Sequence, residues 1–142
     1  MKSKSASRAG LFEDLGRLTL RLGFGVLIMF HGIHKVIHGV GDIQAVLRFQ
    51  GLPGVLSYGV YVGELVAPAL IILGAFTRPA AGVLAFTMMA SMYLKYSSQF
   101  NQLTALGGWG AELPALYLFA AVAIVLLGPG RFSVGKRGGL LN

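Results

Sequence analysis

Ionisable and phenolic side chains interrupt the apolar stretches of this sequence, where an unpaired charge is costly. The residues concerned lie toward one end of each stretch: His31, Lys35, Glu64, Glu112, Lys95 and Tyr61. Imidazole, ammonium and carboxyl groups can hydrogen-bond a carbonyl oxygen or exchange a proton with a bound molecule. Because ionisable groups in apolar surroundings commonly mark a site, these six are the candidate ligand-binding residues.

Charge pairing among these residues leaves two interpretations open. Glu64 is expected to meet Lys35 or His31, while Glu112 is expected to meet Lys95. Such pairs could serve only to fix the registration of helices. They could also belong to a polar pocket for a small ligand, or to a proton path, and the two interpretations are compatible. Neither decides whether the protein is an enzyme, and no catalytic residue is assigned.

Metal and thiol chemistry find little support in the sequence. There is no cysteine, which excludes disulfides and Cys-ligated zinc or iron–sulfur clusters. His34 and His38 have helical spacing, but His34 points at least about 60° away from His31 on a helical wheel. No acidic residue is adjacent to them in sequence, so no metal site is predicted. Phosphate-binding loops, dinucleotide fingerprints and HExxH motifs are also missing from the sequence.

Composition indicates that the elements positioning these groups are membrane helices. Hydrophobic residues make up 55% of the chain and charged residues only 12%, about half the charge of a soluble domain. The apolar stretches predict an all-α fold, a four-helix transmembrane bundle at residues 15–130. Its helices are expected at about 15–38, 55–76, 79–97 and 111–128. A flexible basic N-terminal tail is expected at residues 1–14 and a basic C-terminal tail at residues 131–142.

Basic residues predict the orientation of this bundle. Four spans put both termini on one side, together with eight basic residues: Lys2, Lys4, Arg8, Arg17, Arg78, Arg131, Lys136 and Arg137. The positive-inside rule then places both termini in the cytoplasm. Four arginines, namely Arg17, Arg21, Arg78 and Arg131, are expected to form a cytoplasmic basic ring that reaches lipid headgroups. A bound anion or an acidic partner loop is the alternative. The net charge of +7 fits this pattern better than nucleic-acid binding, which needs basic runs interleaved with aromatic residues.

Two local features qualify this picture. Residues 42–50 predict a short amphipathic helix whose Ile43, Val46 and Leu47 lie on the membrane surface. Pro68 is expected to kink the second helix.

Several motifs together resemble the DoxX family over about residues 15–134. They are RLG (21–23) and FHGIHK (30–35), then GLP (51–53), Glu64 and LGAFTRPAA (73–81), and finally GPGRFS (128–133). The chain departs from the family pattern in two places. Val66-Ala67-Pro68 replaces the glycines that usually follow the Glu, and Gly135 stands where an acidic residue often ends the closing motif.

The resemblance implies a four-helix protein of the bacterial inner membrane. Members of that family have been linked to oxidoreductase systems, among them the membrane subunit of a thiosulfate:quinone oxidoreductase and complexes handling thiol or oxidative stress. The leading hypothesis is therefore a membrane subunit of a redox system that binds a quinone or a small anion, with no covalently bound cofactor. Its partners would be the lipid bilayer, a soluble or membrane redox protein, and other copies in a homo-oligomer. A small-solute or proton transporter and a scaffold docking a soluble enzyme are the alternatives.

Overall fold

The chain folds into helices of very different length. The computed structural model describes the backbone of residues 2–135 and the side chains from residue 10 onward. Its α-helices are α1 (Lys2–His38), α2 (Gly41–Phe49), α3 (Gly59–Tyr61), α4 (Ala67–Leu73), α5 (Thr77–Lys95) and α6 (Glu112–Leu127). Short 3₁₀ turns occupy Gly54–Tyr58 and Ser97–Gln99. No strand occurs in this part of the chain, where Leu103 and Trp109 form an isolated bridge. The all-α prediction is confirmed.

The first helix begins much earlier than residue 15. α1 continues without interruption from Lys2, through the segment expected to be a tail. Alanine, leucine, lysine and arginine make up half of residues 2–15, and these residues favour helix. No proline interrupts the helix, and Gly10 is a tolerated exception. Of the basic C-terminal tail, Lys136 and Arg137 lie outside the described residues.

The second long helix, residues 54–73, is composite. It runs from the 3₁₀ turn through α3, a π-helical turn at Val62–Val66, and α4. Pro68 stands in the first turn of α4, directly after the π turn. A proline lacks an N–H and its ring crowds the carbonyl four residues earlier, here that of Glu64. The backbone irregularity caused by Pro68 therefore falls at Glu64, within the π turn, which is wider than an α-helical turn.

Four helical rods pack into a bundle around an apolar core. These rods are α1, the composite helix, α5 and α6. α1 contacts α4 and α6, and α5 contacts both α4 and α6, so the rods close a ring. The core side chains include Ile28, Ile71, Leu84, Ala121 and Ile124, all nearly inaccessible. Alanines on α5 and α6 bring those two helices close together.

Large apolar side chains also cover the outside of the bundle. Phe30, Ile37, Phe86, Phe119 and Leu126 are each more than 60% exposed. Patches of this extent are rare on soluble monomers. Residues 10–38 and 54–73 are long and apolar enough to cross a membrane, and α6 is apolar but shorter.

Candidate functional site

A cavity of about 460 Å³ lies between the rods, toward the end where α1 finishes. α1, the composite helix, α5 and α6 form its walls, and α2 adds Ile43, Val46 and Leu47. The predicted amphipathic helix therefore turns its apolar residues onto the cavity. The volume lies in the range typical of small-molecule sites, which are mostly apolar with a few polar groups.

An ion pair between Lys35 and Glu64 joins two walls of the cavity. The Lys35 ammonium group donates to a carboxylate oxygen of Glu64. Glu64 is 6% exposed and Lys35 is partly buried. Both residues line the cavity, so this pair presents a donor and an acceptor to whatever the cavity holds.

Close backbone contact between α1 and the π turn brings the side chains of Lys35 and Glu64 within reach of each other. A Cβ atom on Gly32 would collide with the carbonyl group of Glu64. Only glycine allows the two helices to approach this closely. Gly63 has the same role on the other side of the π turn, where a Cβ atom would collide with Thr87 of α5. Glu64 is thus held between α1 and α5 by two glycines.

An aromatic wall stands beside the ion pair. Tyr117 of α6 packs edge-on against His31, with ring centroids 6.0 Å apart, and edge-on against Phe24 at 5.8 Å. His31 and Tyr117 both line the cavity. Tyr117 was absent from the sequence candidates, although a lone phenol within the apolar α6 was an available signal.

Several hydroxyl groups complete the lining. Thr87 and Ser91, one turn apart on α5, both contribute. The Thr87 hydroxyl donates to the Val83 carbonyl at 2.9 Å. Ser57 lies in the 3₁₀ turn and is 1% exposed, and its Oγ has no hydrogen-bond partner among the described residues. Sequence reasoning missed all three, because serine and threonine in such positions are usually unremarkable turn or helix residues.

The six predicted ligand-binding residues do not all meet at the cavity. His31, Lys35, Glu64 and Lys95 line it, whereas Tyr61 and Glu112 do not. The Tyr61 hydroxyl donates to the Lys35 carbonyl at 3.1 Å, which supports α1 from outside the cavity. The Glu112 carboxylate lies against Gly108 in the preceding loop.

The expected Glu112–Lys95 pair does not form in the described part of the chain. Lys95 instead lies over the ring of Tyr96, 5.8 Å from its centroid. Both charged residues are exposed, so neither requires a partner to remain charged.

Arg21 is the clearest departure from the predicted basic ring. Its side chain is 1% exposed and cannot reach lipid headgroups. Nε and Nη2 donate to the carbonyls of Ile71 and Ile72 at 2.7 and 2.8 Å. Nη1 donates to those of Pro129 and Phe132 at 2.6 and 2.8 Å. The guanidinium group thus caps the end of α4 and holds the closing segment, because helix C-termini offer unpaired carbonyls to cations.

The other arginines of the predicted ring have separate environments. Arg17 forms an ion pair with Asp14 at 3.3 Å, and Asp14 accepts the backbone N–H of Arg131 at 3.1 Å. Asp14 is buried and thereby fastens α1 to the closing segment. The Arg131 residue is exposed and Arg78 is partly buried, with its Nε enclosed.

Histidines outside the cavity pair with each other. The His34 and His38 rings stack with centroids 4.1 Å apart, and His38 Nδ1 contacts the His34 carbonyl at 2.9 Å. Within the described part of the chain, no group of three His, Asp or Glu side chains could hold a metal ion.

Comparison with known proteins gives one match. The DoxX family model matches residues 16–97, more than half of the chain, including α1 beyond Leu15, the composite helix and α5. Searches of curated proteins and of solved structures gave no significant match.

Proposed function

Because this chain belongs to the DoxX family of membrane proteins, we propose that its cavity binds a small, uncharged, quinone-like molecule as part of a membrane redox system. The family accounts for contact with the lipid bilayer. The exposed apolar side chains on the outside of the bundle fit that environment.

The proposed topology has four membrane spans, with both termini in the cytoplasm of a bacterial inner-membrane protein. Besides residues 10–38 and 54–73, α5 and α6 have lengths of about 28 and 24 Å at 1.5 Å per residue. A bilayer core is about 30 Å thick, and flanking polar residues accommodate a modest mismatch. The excess of basic residues at the two termini supports the orientation.

The observation that carries the proposal is a hydrogen-bonding ion pair at the wall of a mostly apolar cavity. Aliphatic side chains such as Ile28, Val60 and Leu113 form much of the lining and suit an apolar ring. Lys35 has donors beyond the one directed at Glu64, since an ammonium group has three. One of them can hydrogen-bond a carbonyl oxygen, while His31 and Tyr117 lie beside the ring.

The charges of the lining favour a neutral ligand over the small anion. Two cationic and two acidic residues line the cavity: Lys35, Lys95, Asp42 and Glu64. Their formal charges cancel, and Lys35 is already paired with Glu64. An added anion would therefore find no uncompensated cation at the buried end of the cavity, and its desolvation would be costly.

Electrons for a quinone must come from outside this chain in the proposed system. A quinone takes up two electrons and two protons on reduction to the hydroquinone. Without cysteine, the chain offers no dithiol to supply the electrons, so the proposed partner is a soluble or membrane redox protein. The two protons come from water, and Lys35 and His31 are the proposed groups that pass them to the ligand oxygens, with the Glu64 carboxylate as their proton partner.

Quinone binding to purified protein tests the proposal directly. In detergent micelles or nanodiscs, 1,4-naphthoquinone should raise the thermal unfolding temperature, and titration should give a saturable Kd. Glu64→Gln removes the carboxylate while keeping the shape of the side chain, leaving Lys35 without its charged partner. We expect this variant to bind at least about tenfold more weakly, or about 1.4 kcal/mol.

Glu13→Gln is the matched control, because Glu13 is an exposed carboxylate on the same chain and does not line the cavity. It should bind as wild type does. The proposal is wrong if wild-type protein shows no quinone-dependent shift, or if Glu64→Gln and Glu13→Gln both bind like wild type.

The second candidate function is a proton or small-solute transporter, which one arrangement of polar side chains on α5 favours. Thr87, Ser91 and Lys95 follow one another at four-residue spacing on α5 and all line the cavity. Such a polar stripe could conduct protons between Glu64 and the solvent at the end of α5. Glu64-dependent acidification of liposomes without quinone would favour this candidate over the redox subunit.

A further inference from the structure

Ser57 has an unused hydroxyl group next to the cavity. The side chain is 1% exposed, lines the cavity, and its Oγ has no hydrogen-bond partner among the described residues. A buried polar group without a partner is rare and calls for an explanation. The neighbouring Thr87 shows the ordinary solution, since its hydroxyl bonds the carbonyl of Val83 at 2.9 Å.

The position of Ser57 relative to Glu64 is informative. Both residues lie on the composite helix, seven positions apart, and both line the cavity, so they lie about two turns from each other along the same wall. A ligand that bonds both groups needs one polar atom toward each of these two positions of the cavity wall. A six-membered ring with oxygens on opposite carbons meets this requirement.

We infer that the cavity recognises its ligand at two points, with the Ser57 hydroxyl binding one oxygen and the Lys35–Glu64 ion pair binding the opposite oxygen of a ring. The inference rests on the proposed function and narrows it to ring compounds with two opposite oxygens. It assigns to Ser57 a specificity-determining role.

Both ends of this arrangement suit the two redox forms of such a ring. A serine hydroxyl is donor and acceptor at once, so Ser57 can meet either a carbonyl or a hydroxyl group. At the other end, Lys35 can donate to a carbonyl and Glu64 can accept from a hydroxyl. A site that held only one form would need only a donor or only an acceptor at each end.

The test compares two ligands on two variants. Purified wild-type protein should bind 1,4-naphthoquinone at least about fivefold more tightly than 1-tetralone, which has a similar ring system and a single carbonyl. Ser57→Ala should remove this preference by weakening naphthoquinone binding, while tetralone affinity stays unchanged. Ser133→Ala is the matched control, because the Ser133 hydroxyl is already bonded to the carbonyls of Gly130 and Gly135 and the residue does not line the cavity. It should keep the preference.

Thermal unfolding without ligand gives an independent readout. Because the Ser57 hydroxyl lacks a partner, Ser57→Ala should unfold at the wild-type temperature or slightly above it. A clear decrease would show that the hydroxyl is already bonded within the protein, which overturns the inference.

The remaining outcomes are also decisive. If wild type binds naphthoquinone but Ser57→Ala keeps the preference, or loses affinity for both ligands equally, the two-point inference is wrong and the proposed function stands. If wild type binds neither compound, the proposed function fails and the inference fails with it.

Discussion

Two cations on α1, one buried and one partly buried, have opposite surroundings. Arg21 and Lys35 are 14 residues apart, or about 21 Å along the helix. Arg21 donates to four backbone carbonyls, two from the end of α4 and two from the closing segment. Lys35 contacts the carboxylate of Glu64 at the wall of a cavity. One cation is enclosed by backbone, and the other faces space for a ligand.

This difference separates structural charge from candidate functional charge. The Arg21 guanidinium has five N–H donors, and four of them bond backbone carbonyls. Gly74 packs directly against the group, which is 1% exposed, so a ligand has no access to it. An ionisable residue in an apolar span therefore indicates a site only where the fold leaves its hydrogen-bonding groups accessible.

The largest expected effect is the loss of Arg21. Arg21→Met keeps much of the side-chain volume but leaves four carbonyls without their donor. We expect the free energy of unfolding to fall by about 3–5 kcal/mol, because buried acceptors without partners are costly. Chemical or thermal denaturation in detergent micelles measures this.

Arg131→Gln is the control for that experiment, since Arg131 is exposed and contributes only its backbone N–H to Asp14. It should change stability by less than about 0.5 kcal/mol. Any folded Arg21→Met protein should bind quinone with wild-type affinity. A normal stability with impaired binding would reverse the roles assigned to the two cations.

An intermediate effect is expected at Gly32, which lies one turn from Lys35. Gly32→Ala places a methyl group against the Glu64 carbonyl and forces α1 away from the π turn. We expect a loss of about 1–3 kcal/mol of stability and weaker quinone binding, because Lys35 and Glu64 then separate. Thermal unfolding and ligand titration on the same sample measure both.

Gly23→Ala tests whether close approach is the cause. A Cβ atom on Gly23 meets nothing within 4 Å, and alanine favours helix by about 0.5–1 kcal/mol. This variant should be as stable as wild type or more stable. Equal losses from both substitutions would mean that backbone flexibility, rather than helix contact, explains the glycine at Gly32.

The ion pair of Lys35 with Glu64 could be predicted from the sequence, whereas the partners of Arg21 could not. Helical periodicity and the cost of buried charge suffice to bring a lone acid on one helix toward a basic residue on another. Backbone carbonyls carry no such signal, because every residue has one. The sequence therefore indicated that Arg21 was unusually deep but could not show what it bonds.

Irregular backbone explains most of the other features that could not be predicted from the sequence. Pro68 predicted a kink, but a proline does not indicate that the preceding turn becomes π-helical around Glu64. Ser57 gave no signal, because its importance depends on the absence of a partner rather than on its residue type. Glu112 was assigned to the site by depth alone, and its carboxylate is directed to its own loop instead.

The smallest expected effect concerns the rim of the cavity. A double-mutant cycle of Lys95→Gln and Glu112→Gln should give a coupling energy below about 0.5 kcal/mol, because the two residues are exposed and form no ion pair. The same cycle on Lys35 and Glu64 should give about 0.5–3 kcal/mol, the range for contacting residues that share a hydrogen bond. Thermal or chemical unfolding of the four proteins in each cycle supplies the energies.

A coupling above about 1 kcal/mol at the rim would mean that Lys95 and Glu112 pair in the bilayer. Glu112 would then return to the candidate site, and the boundary between structural and ligand-facing charge would move outward from Lys35.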